Sequence, residues 1–322
     1  MVAKWGAARA IGAAVFISIV AGCSSADYAA PIKTFADATT AADTALADFN
    51  KTANESYEAA LSQRARTDSG IVVDARDDEC LERSSRCRIA LEDTSVHGKI
   101  RNFPPDPLLG RSVALMGDIK TYAQNLATLV ADDSAAQAAP HVNAALGSIE
   151  KLAIAVAEAD GKPKGSVPSF ATPVGPAVNW VVGKYAEHVK LAGLRDATKT
   201  ADPVIQRAAA LFEKEAVFGS QIRRDALAAV FRVKMRAYQA DRGDAAKLNE
   251  AVAAAKTYDD FLKAQPEMTF KTMGAAHAAL TAALNNSDIS WPQAIAKIQE
   301  FAAEAQQLAQ IAQDLTALTQ KK

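Results

Sequence analysis

The chain has 322 residues, a formal net charge of −1, 49% hydrophobic residues and only 6% aromatic ones. A near-neutral balance gives no electrostatic reason for nucleic-acid binding or for a broad patch against an anionic membrane. Abundant alanine with few aromatics favours helices packed along small-residue seams, and the length suffices for one elongated domain or two modest ones.

At the N-terminus, Lys4 and Arg9 supply positive charge with no acid before residue 23, and Ala10 to Val20 is apolar. That segment has the length of a signal-peptide core and falls short of the roughly 20 residues a spanning helix needs. Ala21 and Gly22 then lead into Cys23. The order Val20-Ala21-Gly22-Cys23 resembles the lipobox of bacterial lipoproteins at all four positions. The resemblance implies cleavage before Cys23, diacylglycerol on its sulfur and an acyl group on its new amine. Several acyl chains, at about 0.8 kcal/mol per buried CH₂, make an anchor far more durable than one chain does. Ser24 and Ser25, where some lipoproteins have Asp, imply the outer membrane facing the periplasm in preference to the inner membrane. The alternative is an ordinary secretory signal cleaved near Gly22. The expected divisions are a signal peptide over 1–22 and a lipidated tether over 23–31. No later stretch is apolar for long enough to span a bilayer.

From Ile32 the spacing predicts one helix to about Arg64. Ile32, Phe35, Thr39, Ala42, Leu46, Phe49, Ala53, Ser56 and Ala60 step by three and four, which is a heptad seam rich in small residues. Residues 66–106 break the pattern. Ile71-Val72-Val73 is β-prone, and Arg88 to Leu91 alternates like a strand. Between them lie Cys80 and Cys87. In an oxidising compartment an even pair is most simply a disulfide. Seven residues of helix separate Cα atoms by about 10.5 Å, beyond the reach of an S–S bond, so the chain must turn back near Glu82 to Ser85. Phe103 to Pro107 ends the excursion, and Asp106 is placed to cap a helix from Pro107.

That helix should run to about Val130, with Val113, Met116, Ile119, Tyr122, Leu126 and Leu129 on one face. The next, from Ala135 to Glu158, carries Val142, Leu146, Ile149, Leu152 and Val156, with Pro140 marking a kink or a late start. Gly and Pro recur over 160–175 as a loop between two halves. Val174 to Gly183 is the most apolar stretch of the mature chain, read as a core helix continuing to about Thr198. Asp202-Pro203 then reads as a cap and a fresh helix start, running to Arg242 where Gly243 stops it. Asp244 begins another helix, to about Gln265, and Thr269 to Leu284 follows. Ser290 and Gln293 form a capping box for a last helix from Pro292 to about Leu318. Its seam is Ile298, Phe301, Ala305, Leu308, Ala312 and Leu315, suited to packing against the first helix.

Together these patterns predict an all-α protein: an elongated antiparallel helical bundle with long coiled-coil-like helices and one disulfide-stapled hairpin. Its halves are 32–159, with the excursion at 66–106, and 176–322.

No catalytic constellation emerges. His97, His141, His188 and His277 have no partner at ligand spacing, so surface or helix-packing roles are the plainer reading, and no metal site or cofactor is expected. The acidic run Asp74, Asp77, Asp78, Glu79 lacks the spacing of a Ca²⁺ loop and reads as a solvated face. Arg223, Arg224, Arg232, Lys234 and Arg236 make one helix segment basic, a candidate contact with anionic envelope material, although nearby acids such as Asp225 could neutralise it. The expected function is that of a lipid-anchored, non-enzymatic envelope protein acting on a protein partner. The alternative is a periplasmic small-molecule binder with an apolar cavity around Trp180 and Tyr185.

Overall fold

The computed structural model describes residues 28–67, 71–75, 89–93, 100–101, 107–132, 135–159, 184–264, 266–285 and 289–320. Within them run α1 (Ala29–Thr67), β1 (Ile71–Ala75), β2 (Ile89–Asp93), β3 (Ile100–Arg101), α2 (Pro107–Ala131) and α3 (Ala135–Ala159). Then follow α4 (Lys184–Ala240), α5 (Ala245–Ala264), α6 (Pro266–Leu284) and α7 (Trp291–Gln320). The protein is an all-α bundle bearing a small antiparallel sheet in the order β1-β2-β3. No described helix is long and apolar enough to cross a membrane.

The heptad seams make the core. On α1, Ile32, Phe35, Thr39, Ala42, Leu46 and Phe49 are all buried, and on α7 so are Ile298, Phe301, Ala305, Leu308, Ala312 and Leu315. The two helices pack along these seams, with the Phe35 and Phe301 rings 5.7 Å apart. They run in the same direction, because Phe49 clusters further along with Leu308, Ile311 and Leu315. That departs from a simply antiparallel bundle, in which packed neighbours run in opposite directions. α4 is followed by α5 and α6, which both run back along it before the chain turns into α7. Gln206 meets Gly274, His277 meets Asp202, and Arg195 donates to the Leu284 carbonyl at 2.6 Å, closing the C-terminal end of α6.

The end signals in the sequence mostly do what their chemistry demands. Asp244 caps α5, its Oδ1 accepting from the amides of Ala246 at 2.8 Å and Lys247 at 3.2 Å. These bonds, the amide of Lys247 first, hold the Asp244 carboxyl below its ordinary pKa. At α7 the Ser290 amide donates to Gln293 Oε1 at 2.9 Å, the reciprocal half of a capping box.

Asp202-Pro203 is the correction. It starts no helix, and Pro203 lies inside α4. Leu194, Ala197, Ala201, Ile205, Ala208 and Phe212 form one buried face on both sides of the proline, so tertiary burial overrides the local signal. Beside the proline the Thr281 hydroxyl donates to the Thr198 carbonyl at 3.4 Å, a further tie between α6 and α4. Asp202 is occupied sideways, as described below. Pro140 likewise sits inside α3 near its start. Asp106, the 160–175 loop, Cys23, Cys80, Cys87 and Trp180 lie outside the described residues.

Two glycines test how closely the helices approach. A Cβ at Gly193 would come within 2.3 Å of Val142 Cγ2, whereas one at Gly147 would meet nothing within 4 Å. Gly147→Ala is expected to raise stability by up to about 1 kcal/mol through helix propensity alone. Gly193→Ala is expected to lower it by about 1–3 kcal/mol, and adding Val142→Ala should cost less than the two singles summed. Urea unfolding of the four variants checks both the signs and the coupling.

Candidate functional site

Two places in the molecule hold more chemistry than helix packing requires. The first is inside. His277 on α6 is 0% exposed, and its ring nitrogens face two other helices. Nδ1 lies 2.9 Å from Asp202 Oδ1 on α4, and Nε2 lies 3.0 Å from the Tyr122 hydroxyl on α2. The ring also packs 5.8 Å from Phe35 of α1 and 5.7 Å from Tyr122. One imidazole therefore joins α6 to three other helices.

The proton positions follow from the inventory of donors. Burial would raise the Asp202 carboxyl, but the hydrogen bond and attraction to His277, and a second hydrogen bond from Gln206, hold it below its ordinary value. An ionised Asp202 only accepts, so His277 Nδ1–H donates to it, while Nε2 shares its hydrogen bond with the Tyr122 hydroxyl. Gln206 Nε2 donates to Asp202 at 3.1 Å and to the Gly274 carbonyl at 2.8 Å, tying α4 to α6 a second time. Gly274 allows this approach, since a Cβ there would press on Gln206 Oε1 at 3.0 Å and Ala209 Cβ at 3.2 Å.

The order carboxylate, imidazole, hydroxyl invites comparison with a catalytic triad, but its electrostatics run the other way. An activated nucleophile needs a depressed pKa and access to substrate. Burial pushes the Tyr122 phenol well above its ordinary value, with the Asp202 charge adding to the effect, and Tyr122 is itself fully buried. These properties suit a lock between helices. Around it, Lys120 pairs with Asp43 between α2 and α1, and Asn125 donates to Ser148 at 3.2 Å between α2 and α3. His141 stands 3.0 Å from Asp132 at the α2–α3 turn. Among the described residues, no three His, Cys, Asp or Glu side chains are grouped to hold a metal ion.

The second place is outside, on the α4–α5 hairpin. From Ala228 to Glu250 no side chain is fully buried, so this end of the hairpin is held chiefly by its own two helices. Val233 on α4 is 51% exposed, and on α5 Leu248 is 40%, Val252 59% and Leu262 46% exposed. Leu248, Val252, Ala255, Asp259 and Leu262 step by four and three, so they line one stripe of α5. The opposite face of the same helix, at Ala251, Ala254, Thr257 and Phe261, is buried against the bundle.

Charge on the hairpin is sorted. Lys234, expected to face an anionic surface, turns inward and pairs with Glu250 of α5 at 2.9 Å. Lys247 pairs with Asp241 at 2.8 Å and Asp244 at 3.2 Å. Arg224, Arg232, Arg236 and Arg242 are exposed, and none of the last three forms an ion pair among the described residues. The side chains of Arg223, Tyr185 and His188 lie outside the description, as do His97 and Trp180, so the apolar cavity expected around Trp180 and Tyr185 falls there too.

The sequence left His277 with a surface or a helix-packing role, and it packs between helices. Its partners, 75 and 155 residues away, were beyond any local pattern. The α5 stripe is not among the seams expected from the sequence, although its heptad spacing is legible, because spacing does not say which face of a helix the bundle covers. Compared with known protein families, curated proteins and solved structures, the chain has no match.

Asp202→Asn should cost about 1.5–3 kcal/mol at neutral pH, the usual scale for a charge-assisted hydrogen bond. Because the folded-state pKa of Asp202 is lowered, its contribution is complete above the ordinary carboxyl value of 3.8 and fades as pH falls through the folded-state value. Denaturant unfolding at pH 7 and at pH 3 should therefore show the gap between the native chain and Asp202→Asn narrowing in acid.

Proposed function

We propose that this is a lipid-anchored helical protein of the cell envelope that works by binding another protein and not by catalysis. The anchoring half rests on the lipobox, which assigns Cys23 the lipid and releases residues 1–22. Multiple acyl chains would hold the chain at the membrane, on the periplasmic side of the outer membrane, with the bundle standing off on a tether shorter than the expected 23–31, since α1 already begins at Ala29.

The binding half is carried by one observation: α5 leaves a heptad-spaced aliphatic stripe in water while its other face is fully packed. A lone exposed leucine needs no explanation, but a periodic stripe on a projecting hairpin is the form in which one helix receives another. Two further features fit this reading. The α1 and α7 seams act as coiled-coil-like rails that keep the hairpin rigid enough to present a surface. Cys80 and Cys87 would form a disulfide across the turn between β1 and β2. The pairing of Ala75 with Ile89 already holds the ends of that turn together, so the bond would close a short loop.

Two measurements test the proposal. Cys23→Ser should move the protein from the membrane fraction to the soluble one and abolish the acyl mass on the mature N-terminus; an unacylated native N-terminus removes the anchoring half. A photo-reactive residue in place of Val252 should give one reproducible protein adduct in intact cells, while the same residue at Lys33, exposed on α1, should not. Identical patterns at the two positions remove the binding half.

A further inference from the structure

The α5 stripe has a chemistry of its own, and it is specific enough to name the kind of partner. Beside the stripe runs a second column at the same period, Asn249, Lys256 and Lys263, each one residue after Leu248, Ala255 and Leu262 and each exposed. In a pair of helices this is the flanking position whose charge selects the partner. Lys256 and Lys263 form no ion pair among the described residues. On the far side of the stripe stand Ala251 and Tyr258, turned toward the bundle, so only the lysine side is open to an incoming helix. Arg232, Arg236 and Arg242 of the hairpin are exposed as well and form no ion pair among the described residues, while Asp241, Asp244 and Glu250 are occupied by Lys247 and Lys234.

Within the stripe itself, Asp259 occupies a seam position between Val252 and Leu262 and is exposed. This separates two classes of occupant that basic charge and apolar side chains would otherwise fit equally. Pressed against a lipid surface, an ionised carboxylate in the middle of the apolar stripe would be dehydrated and set against anionic headgroups. Met by a helix, it is a single polar seam residue of the sort that sets register, provided the partner offers a cation or an amide opposite. The stripe also lacks the exposed aromatic residues that seat a helix at a membrane interface.

We infer that α5 docks an amphipathic helix of a partner protein, one with an aliphatic heptad seam, acidic residues along the flank facing Lys256 and Lys263, and one cationic or amide residue opposite Asp259. This rests on the protein-binding function proposed above and specifies its surface. The positive field steers the acidic helix in, the lysine column fixes which flank it presents, and Asp259 fixes its register. Two heptads of seam is a small contact, so the complex belongs to the weak, reversible class, and membrane anchoring raises its occupancy by confining both partners.

The test uses the full chain and two synthetic helical peptides about three heptads long, identical in their leucine seam with one central lysine. One has glutamate at the flanking positions and the other has lysine. The glutamate peptide should bind at least about tenfold more tightly, with the difference shrinking as salt rises. Lys256→Glu with Lys263→Glu, both at exposed positions, should reverse the preference, and Val252→Asp should weaken the better peptide about tenfold without shifting the thermal unfolding midpoint. Equal binding of the two peptides, binding of neither, or a preference untouched by the lysine reversals overturns the inference. Vesicles of phosphatidylglycerol, with phosphatidylcholine as the neutral control, provide the other arm. Charge-dependent vesicle binding lost in Val252→Asp, with no discrimination between peptides, assigns the surface to lipid and likewise overturns it. Because the cell crosslinking at Val252 detects any protein partner, a protein that gives an adduct there yet ignores peptide charge retains its function and loses only the partner chemistry.

Discussion

A histidine with no exposure to water is the constraint on which the arrangement of this bundle depends. His277 must find a partner for each ring nitrogen inside the protein, since a buried polar group left unpaired costs about 1–3 kcal/mol. Its two partners come from two different helices, so both are satisfied only when α2, α4 and α6 stand in one mutual register. Apolar seams alone are forgiving, because a leucine ridge slides past alanines at modest cost. The hydrogen bonds are directional and short, and they select one arrangement from the many that the alanine-rich faces would tolerate. Gly274 belongs to the same device, since the helices must come close before Gln206 can reach across.

That lock bears on how α4 continues as one helix from Lys184 to Ala240. Its proline would ordinarily end the helix, yet the residues on either side of Pro203 are buried on one face and Asp202 is tied to α6. The helix is thereby carried past the proline to Ala240, where the turn at Asp241 to Asp244 folds it back on α5. The hairpin so formed extends a two-helix surface from a core that is sealed elsewhere by α1 and α7. Rigidity at the lock and exposure at the hairpin belong together in the proposed function, since a surface offered to a partner must be held still by something behind it.

The distribution of charge has the same logic. Overall balance hides local imbalance, because Asp241, Asp244 and Glu250 of the hairpin are paired with Lys247 and Lys234, one pair bracing the two helices and the others closing the turn. Asp259 stays exposed within the stripe, and the flank beside it, at Lys256 and Lys263, is cationic. A net charge of −1 over the whole chain therefore says little about any one face.

The sequence alone determined the seams of α1, α2, α3 and α7, the caps of α5 and α7 and the all-α class, because each is a local matter of period, propensity or an amide reached within three residues. It also carries Val20-Ala21-Gly22-Cys23, whose resemblance to a lipobox needs no folding to be read. Only the tertiary structure decided that Asp202 would be a partner for His277 and not a cap, that Pro203 would sit within a helix, and that α1 and α7 would lie in the same direction. It alone decided that one heptad stripe among several would be left facing water. Period tells which residues share a face, but whether that face meets a neighbour depends on where every other helix comes to rest, and that is settled by contacts between residues far apart along the chain.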